Sequence, residues 1–132
     1  MNPAKAGAVS ALVWAAAEQL DKRLVGHDYS DVAVLGKGVT RSRAWPVAGL
    51  AMHAANGAVF GLAYAQLRRR GVSAMTMALA EHTLLFPLGA VADRVHPARG
   101  TPGLAPLWSK RAFVQATFRH ALFGALLGRL AG

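Results

Sequence analysis

The chain has 132 residues, the size of one ordinary domain, and contains no cysteine. Hydrophobic residues make up 54% of it and charged residues 16%, against about 25% charged in a typical domain. This composition excludes a disordered chain, a disulfide scaffold and a cysteine–zinc site. The net charge is +9, but the basic residues cluster between apolar stretches, as in loops that face anionic lipid headgroups. The sequence therefore favours a membrane protein over a nucleic-acid-binding one.

Four apolar stretches approach the length of about 20 residues that a helix needs to cross a bilayer. The first covers residues 4–20 and extends to 25, with Gly26 as a C-terminal cap; it is interpreted as a retained helix rather than a cleaved signal peptide. The other three cover residues 45–67, 72–92 and 112–130. They predict an all-α integral membrane protein: a bundle of four transmembrane helices, forming one domain over residues 1–132 of a multi-pass protein in the bacterial plasma membrane.

Two local signals refine these helices. Pro87 lies inside the third stretch and removes a backbone hydrogen bond, which predicts a kink there. In the loop after the first helix, Ser30 or Asp31 is placed to cap a short additional helix at the membrane interface.

The second and fourth stretches share a sequence pattern. Residues 53–61 and 120–128 both match His-Ala-x-x-Gly-Ala-x-x-Gly. The pattern predicts two tandem helix-pair repeats, about 4–67 and about 72–131, each with an acid in its first helix and a histidine in its second. The alternative is a chance match in a chain rich in alanine and glycine.

Each matching segment also contains a GxxxG motif, formed by Gly57 with Gly61 and by Gly124 with Gly128. Glycines four residues apart share one face of a helix and let another helix approach closely, which drives association in lipid. The motifs predict that the two glycine-bearing helices pack against each other inside one bundle; the alternative is a homodimer seam.

Polar and ionisable side chains interrupt all four stretches. Because such groups are costly at membrane depth, we expect them to face the bundle interior and to form a buried cluster. The predicted cluster comprises Glu18, His53, Asn56, Glu81, His82 and His120, with Gln19, Gln115 and Arg119 as further members. Spacing from the helix ends predicts the pairs Glu18–His53 and Glu81–His120.

The predicted cluster leaves three functions open. It could hold helices together, form a proton or ion pathway, or bind a metal or haem with His53 and His120 as axial ligands. No catalytic motif stands beside it. We therefore predict a non-enzymatic structural or accessory membrane component without a cofactor. The alternatives are a small proton- or ion-coupled transporter or channel, and a metal- or haem-binding redox protein. Expected partners are a bilayer with anionic headgroups and a second copy or another membrane subunit; nucleic acid is not expected.

Overall fold

The computed structural model describes residues 1–132 and consists of helices joined by loops, the longest of which covers residues 96–109. In chain order the helices are α1 (Pro3–Val25), α2 (Asp31–Val39), α3 (Trp45–Leu67), α4 (Ala74–Leu85), α5 (Leu88–Val95) and α6 (Lys110–Ala131). A 3₁₀ turn, Arg68–Arg70, continues α3 toward α4. The all-helical class and the positions of the main helices agree with the sequence prediction.

Local chemistry explains the helix boundaries. Gly26 ends α1 in the left-handed conformation, with φ 66°, which glycine adopts without a steric penalty. Ser30 caps α2 by accepting a hydrogen bond from the Ala33 amide at 3.1 Å. Pro87 separates α4 from α5, and the two helices meet at a 52° bend.

Helix α1 is central, packing against α3 on one side and α6 on another, while α2 covers the first turns of α3 and α4 packs on α6. Glycine makes the closest crossing possible: a Cβ added at Gly57 would lie 2.6 Å from the Ala11 Cβ and would collide with the Gly7 carbonyl oxygen. The α1–α3 contact therefore depends on backbones that touch directly.

The sequence predicted that the two glycine motifs face each other, and this prediction is wrong. Gly57 and Gly61 face α1. Gly124 faces α4, where an added Cβ would lie 2.9 Å from the Met75 Cα, and Gly128 has more room beside Ala74. Helices α3 and α6 touch only marginally, because α1 lies between them.

The prediction of four transmembrane helices is wrong. Only α3, extended to Arg70, is long and apolar enough to cross a membrane, and the bent α4–α5 pair brings the number to two if it counts as one span. Helices α1 and α6 carry too many charged side chains, and the bend at Pro87 splits the third stretch into two short helices. The two-repeat interpretation is not supported either: α1 is continuous, whereas its expected counterpart is broken.

The interior has two parts. A small apolar core joins α1, α3, α4 and α6 around Trp14, Phe123 and Leu127, with alanines filling the remaining contacts. Beside it, at the end of the molecule where the loops lie, the interior is polar. Three of its side chains, Arg119, Gln115 and Glu18, are among the five largest in the protein with no more than about 2% of their surface exposed. This polar interior positions the candidate site.

Candidate functional site: a buried arginine–carboxylate network

Arg119 is the centre of the polar interior and is completely buried. Its Nε donates to Asp21 Oδ2 at 2.6 Å and its Nη2 to Asp21 Oδ1 at 2.7 Å, which is a bidentate pair. Its Nη1 donates to Asp31 Oδ2 at 2.9 Å, and Nη2 also donates to the Tyr29 carbonyl at 2.7 Å. The guanidinium carbon lies 4.5 Å from the centre of the Tyr29 ring. One side chain of α6 thus ties together α1, α2 and the loop between them.

A third carboxylate approaches the same guanidinium. Glu18 lies about one turn before Asp21 on α1, and its Oε1 is 3.5 Å from Arg119 Nη1. Glu18 also accepts hydrogen bonds from Ser30 Oγ at 2.6 Å and from the Asp31 amide at 2.8 Å. Three acids therefore share one buried cation.

This imbalance sets the protonation of the network. Burial is the main cause that raises the pKa of Glu18 to about 7, and repulsion from the Asp31 carboxylate is the second. Burial opposes ionisation of Asp31 as well, but Arg119 and the Tyr29 hydroxyl outweigh it and hold the pKa of Asp31 below its usual range. Burial works against the charge of Arg119 too, yet its acidic partners raise the pKa of the guanidinium. The network therefore keeps Arg119 and Asp31 charged, while Glu18 can gain or lose a proton near neutral pH.

Neutral donors complete the network. Gln115 Nε2 donates to Asp21 Oδ1 and to the His27 carbonyl, both at 2.9 Å. Trp14 Nε1 donates to Asp31 Oδ2 at 2.9 Å, and the Tyr29 hydroxyl donates to Asp31 Oδ1. Each of these contacts joins residues from different elements or from the adjoining loop, so the network fixes how the loop-side ends of α1, α2 and α6 meet.

The predicted polar residues are divided between this network and a second group. Glu18 belongs to the network and does not pair with His53. Glu81 does meet His120, with 3.4 Å between Oε2 and Nε2. The ring of His82 stacks on that of His120 at 4.8 Å, and His82 Nε2 hydrogen-bonds to Thr117 Oγ1 at 2.8 Å.

Of the remaining predicted residues, His53 and Asn56 line one cavity, and Gln19 lines another. His53 is buried against Trp14, with 5.1 Å between ring centres, whereas Asn56 is exposed at the rim. Gln19 is exposed and joins neither group. The cavity lined by His53 and Asn56 has a volume of about 220 Å³, and both Asp31 of the network and Glu81 of the second group contribute to its wall.

Sequence reasoning missed Asp21 as a site residue and did not connect Tyr29 and Asp31 with the polar cluster on the helices. The spacing of Glu18 and Asp21 was a usable signal, because residues three apart share a helix face. Gln115 and Arg119, four apart on α6, gave the matching signal on the other side.

No group of three or more histidine or acidic side chains has a geometry that could hold a metal ion. The rings of His53 and His120 both pack against Trp14, with 5.1 and 4.6 Å between ring centres. Comparison with protein-family models, with curated proteins and with solved structures found no match to this chain.

Proposed function

We propose that the chain is a non-enzymatic structural or accessory protein of the bacterial plasma membrane, held in the bilayer through α3. Its apolar outer surface contacts lipid acyl chains or a neighbouring membrane subunit, which includes a second copy of the chain. The arginine–carboxylate network keeps the loop-side ends of its helices together.

The observation that carries this proposal is the inverted polarity of the molecule. Twenty large hydrophobic side chains are exposed, among them Leu24 at 77% and Leu84 at 76%, while the largest fully buried side chain is Arg119. A protein surrounded by water gains free energy by burying apolar side chains instead. This distribution suits a surface that meets an apolar medium.

Helix α3 shows the same property along its whole length. Only 28% of its most apolar window is buried inside the protein. Its buried residues are mainly the glycines that face α1 and α2, whereas Val47, Val59 and Leu62 point outward. A core helix would bury such side chains, so lipid or another subunit is the natural partner for this face.

The test is a matched pair of lysine substitutions on α3. Val59→Lys and Leu62→Lys place charges on the outward apolar face, where a lysine in mid-bilayer costs about 2.5–3.5 kcal/mol. Gln66→Lys, at an exposed position near the helix end, is the control. After expression in a bacterial host, wild type and control should stay in the membrane pellet through an alkaline carbonate wash, whereas the first two variants should be depleted from it.

Either of two results would overturn the proposal. One is wild-type protein released by the carbonate wash as a folded monomer. The other is membrane retention of Val59→Lys or Leu62→Lys that equals the retention of wild type. That result would indicate that the position faces water, because substitutions at water-exposed sites change stability by only about 0.5 kcal/mol.

A second candidate, proton-linked transport, is favoured by the position of Glu18. This side chain contributes to one cavity with Ser30 and Lys22, and its hydrogen-bonded neighbour Asp31 contributes to the separate cavity that reaches Glu81. A carboxyl group with a pKa near 7 between two cavities is suited to pass protons. In proteoliposomes with a trapped pH dye, wild type should then dissipate a pH gradient faster than Glu18→Gln; equal rates would exclude this function.

A further inference from the structure

We infer that the 220 Å³ cavity between Asp31 and Glu81 binds a small protonated amine with an apolar body. The cavity lies among α1, α2, α3, α4 and α6, and this inference does not depend on membrane location. Three independent features support it: the charge of the surroundings, an unsatisfied histidine nitrogen, and the aromatic walls.

The charge around the cavity is opposite to that of the whole chain. The chain carries +9, yet four of its six acids are in or directly behind the cavity wall: Glu18, Asp21, Asp31 and Glu81. Arg119 contacts the three acids from α1 and α2, which share it as their cation. Glu81 contacts His120, leaving a carboxylate that is 41% exposed. A cation that enters beside Glu81 therefore meets a negative potential.

His53 supplies a hydrogen-bond acceptor. The residue is 93% buried, since only 7% of its surface is exposed, and its Nε2 has no hydrogen-bond partner although the ring is part of the cavity wall. A neutral imidazole carries one N–H donor and one acceptor nitrogen, so Nε2 offers its lone pair to a ligand when the ring proton is on Nδ1. An orphaned buried acceptor is costly, and an ammonium N–H is a donor that would satisfy it.

The remaining walls suit the rest of such a ligand. Trp14, Phe60 and Phe123 line the cavity, with ring centres 6.1 Å apart for Trp14–Phe123 and 5.1 Å for Phe60–Phe123. Aromatic faces attract cations and also accept an apolar ring or chain. A carboxylate, an acceptor nitrogen and aromatic walls together match an amine better than an anion or a neutral lipid tail.

The experiment uses the purified full-length chain in detergent micelles and three probes of similar shape. Benzylammonium is the cation, benzyl alcohol the neutral analogue and benzoate the anion. We expect calorimetry to show benzylammonium binding about tenfold or more tightly than benzyl alcohol, because a charge-assisted contact is added, and no benzoate binding. In protein labelled at the histidine ring nitrogens, the Nε2 signal of His53 should shift when benzylammonium is added.

Glu81→Gln is the informative variant, since this side chain is partly exposed and its one salt bridge is with His120. It should weaken benzylammonium binding about tenfold. The control is Asp28→Asn, which also removes an acid but lies in the loop outside the cavity, and it should leave the affinity unchanged. Equal affinity for the cation and the alcohol, preference for benzoate, an unmoved His53 signal, or unchanged binding by Glu81→Gln would each overturn the inference.

Discussion

Replacing Arg119 with methionine is the most direct test of the buried network. The substitution keeps an unbranched, flexible side chain of comparable length but removes the charge and five N–H donors. Asp21, which is buried, and Asp31, which is partly buried, then lose the cation that they contact at 2.6 and 2.9 Å, and Glu18 loses its attraction at 3.5 Å.

The expected cost is large. Removing one partner of a buried ion pair typically destabilises a protein by about 3–5 kcal/mol, and here a single substitution leaves more than one carboxylate unpaired. Adding Asp21→Asn to Arg119→Met should restore part of the lost stability, because one of the uncompensated charges is gone. We expect a coupling free energy of about 1–3 kcal/mol between the two substitutions. Lower pH should also reduce the difference in the free energy of unfolding between Arg119→Met and wild type, since protonation neutralises the same carboxylates.

The assay is reversible unfolding in a mild detergent, followed by the helical circular dichroism signal for wild type, both single variants and the double variant. The reasoning would be refuted if the free energy of unfolding of Arg119→Met were within about 1 kcal/mol of the wild-type value, which is the effect of an ordinary substitution. A free-energy loss that is identical at neutral and mildly acidic pH would refute it as well.

Four further variants test other parts of the structure. The pKa of Glu18 is raised from 4.5 to about 7, so its stabilisation is complete below pH 4.5 and is lost as the pH rises through 7. Glu18→Gln should remove this pH dependence, which is at most about 3 kcal/mol in unfolding titrations. Gly57→Ala should destabilise by about 1–3 kcal/mol, because its methyl group meets the backbone of Gly7. Gly128→Ala, whose methyl group lies 3.6 Å from the Ala74 Cβ, should be neutral or stabilising in the same unfolding measurements; equal losses would contradict the proposed close crossing. Asp93 accepts from two loop amides at 2.7 and 2.9 Å, so Asp93→Ala should speed hydrogen exchange there, and unchanged exchange would show that the carboxylate does not hold the loop.

The sequence by itself was sufficient to place the helices. Gly26, Ser30, the Trp45–Pro46 start and Pro87 each act within about one helical turn, so their effect on the backbone does not depend on distant parts of the chain. Composition likewise predicted the all-helical class. Part of the candidate site was accessible for the same reason, because polar side chains within apolar stretches stand out without any knowledge of their partners.

Only the tertiary structure decided which surfaces meet. Arg119 and Asp21 are 98 residues apart in sequence, and no local pattern specifies that α1 rather than α3 lies against α6. Which helices pack together depends on where their backbones can approach. For α1 and α3, Gly7 fits against Gly57. The sequence estimate of membrane spans failed because length and apolar content do not reveal a 52° bend. Nor do they reveal that the charges of two helices turn inward onto one arginine, since burial and pairing depend on the arrangement of the whole chain.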